Sequence, residues 1–186
     1  MKRFSTIVLL CFGAILRLSG QSIPSDEEKA LFNKINHYRD SLGLNKLVWD
    51  TSTYKMASHH AKYITIINST PYNKGILTHK ENVDNIDIPG FEEINTLDDR
   101  SKKFINKPYV YFAENCAITS VTKKVKISQS VFTAWLNSKE GHKQIMELKD
   151  VKIAACSIQI YEMEDVVVRT GKKFKVQLAA VVLNIH

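Results

Sequence analysis

Two hydrophobic periodicities divide this chain, and their order limits the available folds more than its composition does. Leu31, Ile35, Tyr38 and Leu42 recur at helical spacing behind Ser25 and Glu28, a capping-box pair, and the pattern stops at Gly43. A first helix is therefore expected over residues 26–42. A second follows Asp50, a good N-cap, with Tyr54, Ala57, Ala61 and Ile64 on one face and an end near Asn68. After Asp150 the pattern changes: residues 153–161 and 174–185 are rich in Val, Ile and Ala, with a turn at Thr170-Gly171-Lys172-Lys173 between them. These two segments are expected to pair antiparallel, with residues 166–169 extending the hairpin. In between, residues 109–118 read as a buried strand. Ser128 reads as the cap of a helix carrying Val131, Phe132, Trp135 and Leu136. Residues 69–109 are loop-rich, punctuated by Pro71, Gly75, Pro89, Gly90 and Pro108, with one short helix near 97–104. Helices first and strands later, with helix enough for both faces, predict an α+β fold: a three-layer αβα sandwich around a mainly antiparallel sheet.

Residues 1–20 have the form of an export signal. Lys2 and Arg3 make its positive start, residues 7–16 its apolar run, and Leu18-Ser19-Gly20 a cleavage site before Gln21. A run of about ten apolar residues falls well short of the roughly 20 a spanning helix needs, and Arg17 closes it. The expected product is a secreted or periplasmic chain, residues 21–186, with no transmembrane segment and length for a single domain. Its formal charge of +7 falls by three when Lys2, Arg3 and Arg17 leave, too little to point to nucleic acid. The lysines at 123, 124 and 126 and at 172, 173 and 175 read as a solvated face or hairpin tip. Beyond the signal only Cys116 and Cys156 remain. An oxidising compartment permits one disulfide, which the placement of both cysteines in predicted strands favours; two buried free thiols are the alternative.

Short motifs spread over residues 36–142 resemble the CAP superfamily of cysteine-rich secretory, antigen 5 and pathogenesis-related proteins, also called the SCP domain. Asn36-His37-Tyr38-Arg39 resembles its Asn-x-x-Arg, and the stretch from Gly43 through Leu47, Trp49 and Asp50 its Gly-Leu-x-x-Leu-x-Trp-Asp. His59-His60-Ala61, Thr78-His79, Ala113-Glu114-Asn115, Trp135-Leu136-Asn137-Ser138 and Gly141-His142 follow in the family's order. Ala113 replaces the usual glycine, and the Ser138 to His142 spacing is one residue longer than common. Ser138 stands where many animal members carry a second glutamate, so the chain is similar to the bacterial branch. The resemblance implies an αβα sandwich and an extracellular binding or signalling role. Some members bind sterols or fatty acids, some hold a metal, and no reaction is common to all.

The resemblance also implies that His79, Glu114 and His142 meet in a cavity with Ser138 beside them. Two imidazoles and a carboxylate would make a three-ligand set for zinc or another divalent metal, with a fourth position open. The first functional expectation is a non-enzymatic binding protein for an extracellular ligand. A metal-dependent hydrolase using the same residues is the second, and a lipid or sterol carrier the third. A Ser138–His142–Glu114 hydrolase triad is disfavoured, because Glu140-Gly141 interrupts the helix and no oxyanion hole can be named. His59 and His60 point to different sides of their helix, so they are expected to serve packing or surface roles and not to share a metal. Asn36, Arg39, Trp49 and Trp135 read as structural.

Overall fold

A computed structural model describes residues 24–69, 71–72, 74–82, 85–105, 111–167 and 172–186. The signal at residues 1–20 and the turn at 170–171 lie outside them. In chain order the elements are α1 (Asp26–Ser41), β1 (Val48–Trp49), α2 (Thr51–Asn68), α3 (Leu97–Ile105), β2 (Ala113–Ser120), α4 (Ile127–Leu136), α5 (His142–Met146), β3 (Ile153–Val167) and β4 (Lys172–Ile185). The sheet order is β1-β3-β4-β2. Strand β4 runs antiparallel to both β3 and β2, and the two-residue β1 joins the far side of β3 in parallel.

The alternation of β4 builds three layers. Ala179, Val181, Leu183 and Ile185 pack with Leu31 and Ile35 of α1 and Val131 and Trp135 of α4. Ala180 and Val182 face the other way, onto Ala57, Ala61 and Ile64 of α2. With both faces of the strand covered, both alternating sets are apolar over residues 178–183, which is why that stretch reads as an unbroken run. The alanines of α2 let its backbone approach the sheet, and each fully buried Leu or Ile contributes roughly 1.5–3 kcal/mol.

The first helix begins as its sequence requires, with Ser25 and Glu28 forming a complete capping box. At its far end Arg39, fully buried, donates from Nε to the carbonyl of Asn45 and from Nη1 to those of Met146 and Leu148, each at 2.8 Å. One turn earlier, Asn36 exchanges two hydrogen bonds with the backbone of Leu47. The Asn-x-x-Arg motif therefore ties α1 to β1 and to the end of α5.

Two expectations are corrected. Helix α4 begins at Ile127 rather than after Ser128, and the Ser128 amide takes its partner from Glu27 of α1, at 2.9 Å. A tertiary contact thus replaces the local cap. Cys116 and Cys156 are buried free thiols and form no disulfide. Both belong to one sheet, but β4 lies between their strands: Cys116 pairs with Val182 and Cys156 with Leu183. Two strand spacings amount to roughly 10 Å, beyond the reach of a disulfide. Their side chains also join opposite layers.

Candidate functional site

Between α2 and the edge of the sheet lies a buried knot of charge. Glu114, on β2, is 5% exposed, and Glu81, in the loop after α2, is 1% exposed. Arg100, projecting from α3 and wholly buried, stands between them. Its Nη2 lies 3.0 Å from each oxygen of Glu114, and its Nη1 3.7 Å from Glu81 Oε1. The neighbouring histidines of α2 divide one carboxylate. His59 Nε2 meets Glu81 Oε2 and His60 Nδ1 meets Oε1, each at 3.1 Å, while the amide of Ile94 donates to Oε2 at 2.6 Å. Burial alone would push the Glu81 carboxyl up, but these donors hold it down at about 2. Glu114 is likewise held below the usual carboxylate range: burial opposes ionisation, and the adjacent His60, the hydrogen bond from His79 and the charge of Arg100 overcome it.

His79 is half-exposed and hydrogen-bonds through Nδ1 to Glu114 Oε1 at 3.1 Å, with the Cys116 sulfur 3.6 Å from the same nitrogen. His142 opens α5, and its Nδ1 lies 2.8 Å from the Ser138 hydroxyl. Its carbonyl accepts from Asn115 Nδ2, which pins α5 to β2. Burial pushes the His142 imidazole below its ordinary value, and the positive charge that His79 can carry pushes the same way. Beside these groups a cleft of about 390 Å³ is lined by Leu77, Cys116, Trp135, Ser138, Lys139 and His142.

The structure brings His79 to Glu114 and Ser138 to His142, and it gives Glu114 a different job from that of a metal ligand. Both Glu114 oxygens accept from Arg100, and His79 adds a donor to Oε1. With its amide turned so that its oxygen accepts from Ala57, Asn184 donates to Oε2 at 3.1 Å. A carboxylate offers about four lone-pair sites, and these are filled. Nor does Glu114 bond to His142, so the Ser138–His142 pair has no carboxylate behind it, in keeping with the disfavoured hydrolase triad. Among the described residues the ligand atoms of His60, Glu114 and Cys116 crowd within 4.8 Å of one another. They do not fit a metal: burial, and then the charge of Glu114, push the Cys116 thiol far up, away from thiolate, and Arg100 brings a positive charge into contact with Glu114.

His59 and His60 do more than pack, since one bidentate carboxylate reaches round to both. Arg100 and Glu81 escaped the sequence reading altogether. Nothing in Leu97-Asp98-Asp99-Arg100-Ser101 marks Arg100 as buried, and the amphipathic pattern of so short a segment is the one available signal.

The family model of the cysteine-rich secretory protein (CAP) family matches residues 32–168, and the chain belongs to that family. No curated protein matches it. Among solved structures it is similar to an extracellular SCP-domain protein of Bacillus anthracis, at TM-score 0.54 and 18% identity. That match covers 86% of this chain but only 39% of the Bacillus protein. It is also similar to an outer surface protein of Borrelia burgdorferi, at TM-score 0.50 and 19% identity, over 86% of this chain and 92% of the other. At such identities the likeness is one of fold.

Proposed function

We propose that this chain is an exported CAP-family binding protein, not a catalyst, whose cleft beside β2 takes a polar extracellular ligand or a divalent metal through His79 and His142. One observation carries the reading. Each imidazole has its Nδ1 engaged by a protein partner, Glu114 for one and Ser138 for the other, and among the described residues neither Nε2 has a hydrogen-bond partner. Anchoring one ring nitrogen to fix the other is how ligating histidines are held. Zinc fits this donor type: His79 and His142 would hold it, Glu114 and Ser138 would orient them, and the ion would supply a Lewis-acidic point of attachment for an anionic ligand. With two protein ligands the affinity is weak, and acid lowers it further, because protons compete with a metal for its ligands. The extracellular and outer-surface character of the two similar proteins supports export, as does the form of residues 1–20. Among the described residues no helix is long and apolar enough to cross a membrane.

Calorimetric titration of zinc at neutral pH tests the reading. Wild type is expected to bind, His79→Ala and His142→Ala to lose binding, and Glu114→Gln to weaken it by about 10–100-fold, as removal of an orienting partner does. Equal binding in all four proteins, or none in wild type, discards the metal.

A second reading, lipid carriage, has its own support. A groove of about 690 Å³ runs between α1 and α4, lined by Ala30, Tyr38, Phe132 and Leu136 with Lys34 and Lys126 among its polar residues. The buried Ser128 hydroxyl also lines it and has no partner among the described residues. An apolar slot with basic groups suits an acyl chain bearing an anionic head. Displacement of a fluorescent fatty acid, abolished by Ala30→Trp and untouched by His79→Ala, would favour this reading over the first.

A further inference from the structure

The guanidinium of Arg100 is surrounded by oxygen. Nη2 lies 3.0 Å from both carboxylate oxygens of Glu114 and 3.1 Å from the carbonyl of His79. Nη1 lies 3.4 Å from the carbonyl of Ile94 and 3.7 Å from Glu81 Oε1. Two carboxylates and two main-chain carbonyls, drawn from β2 and from the loop between α2 and α3, are the kind of donors from which sites for hard divalent cations are built. All three side chains are buried, so two carboxylates in so dry a place need a positive charge among them. Arg100 Nε, by contrast, is buried with no partner among the described residues. A site selected for the five-donor geometry of a guanidinium would use that donor. What this cage uses is the charge.

We propose that Arg100 is a resident cation, standing in an oxygen cage that its removal opens to a hard divalent ion. By occupying the oxygens of Glu114 it also determines specificity, leaving the cleft to ligands that seek imidazole. The first statement is independent of the proposed role of His79 and His142; the second rests on it.

Thermal denaturation of the exported chain in EDTA and in millimolar calcium or manganese tests the proposal, on wild type, Arg100→Met, Arg100→Lys and the double variant Arg100→Met/Glu114→Gln. Wild type and Arg100→Lys keep a cation in the cage and are expected not to respond. Arg100→Met is expected to be destabilised or unfolded in EDTA and recovered by either ion, its Tm rising by several degrees. The double variant, with one carboxylate neutralised, loses that recovery. An Arg100→Met protein that neither ion moves, whether folded or unfolded, overturns the proposal. So does an equal response in Arg100→Lys. Zinc titration of wild type reads the histidine role separately: absence of zinc binding beside calcium rescue of Arg100→Met discards the specificity statement and keeps the cage.

Discussion

Glu81 accepts from His59, His60 and the Ile94 amide, and its carboxyl is held at about 2 against an ordinary 4.5. A carboxyl depressed on folding stabilises the folded state above its unfolded value, and that stability drains away as pH falls toward the folded value. The shift corresponds to about 3 kcal/mol. Acid titration followed by circular dichroism should therefore show stability falling between about pH 4.5 and pH 2, and Glu81→Gln should flatten that limb while lowering stability at neutral pH. His142 adds an earlier step of the same sign for a different reason. Its folded value is lowered from 6.5, so the unfolded chain takes up the proton first, and stability falls as pH drops below 6.5. His142→Asn should remove that step and leave the lower one. At this scale the sequence offered only residues standing in motifs. His79, Glu114, Ser138 and His142 could be named because each is embedded in a short pattern. Glu81 and Arg100 owe their roles to distant partners: the contacts between Arg100 and Glu114 span fourteen residues and two elements, and no local periodicity encodes them.

Helix boundaries were legible where the chain satisfies its own backbone, and not where another element does it. Ser25 and Glu28 close α1, and Asp50 caps α2 through the Thr53 amide at 2.7 Å, both within four residues. Helix α4 instead borrows Glu27 across 101 residues, and a sequence reading looking for a nearby hydroxyl settles on Ser128. Glu27→Ala is expected to cost about 0.5–2 kcal/mol, as loss of an N-cap does, measurable by urea denaturation with an unchanged slope. Helix α5 is the extreme case. Five residues do not hold a helix in water, and this one is kept by Asn115 at its first carbonyl and by Arg39 at its last turn. Arg39→Met should raise amide exchange selectively in residues 142–146 and blunt any zinc response, since His142 rides on that turn; exchange unchanged there would show that α5 stands without it.

At the scale of the molecule, the layered architecture followed from the order of the periodicities, whereas the position of each strand within the sheet did not. Nothing local to residues 172–185 says that they lie at the centre, between β3 and β2. That one fact decides the fate of the cysteines. Had β2 and β3 been neighbours, Cys116 and Cys156 would have been candidates for a bridge. With β4 between them the thiols stay free, so a reducing agent should leave the Tm of the protein unchanged, and a thiol assay under denaturing conditions should find Cys116 and Cys156 both reactive. A reduction-sensitive Tm would contradict the strand order itself.

The centrality of β4 also bears on how the molecule comes into being. Strands β2 and β3 touch the rest of the sheet through β4, apart from the two residues of β1, and β4 is made after both. A chain growing from its N-terminus can form helices while its sheet waits, because the pairings that close the core span the length of the domain and must follow its last strand. Until residues 172–185 are available, β2 and β3 are not joined into the one sheet that α1, α2 and α4 cover. A polypeptide held open in this way can be threaded through a narrow pore before it folds, and its last strand then acts as the latch.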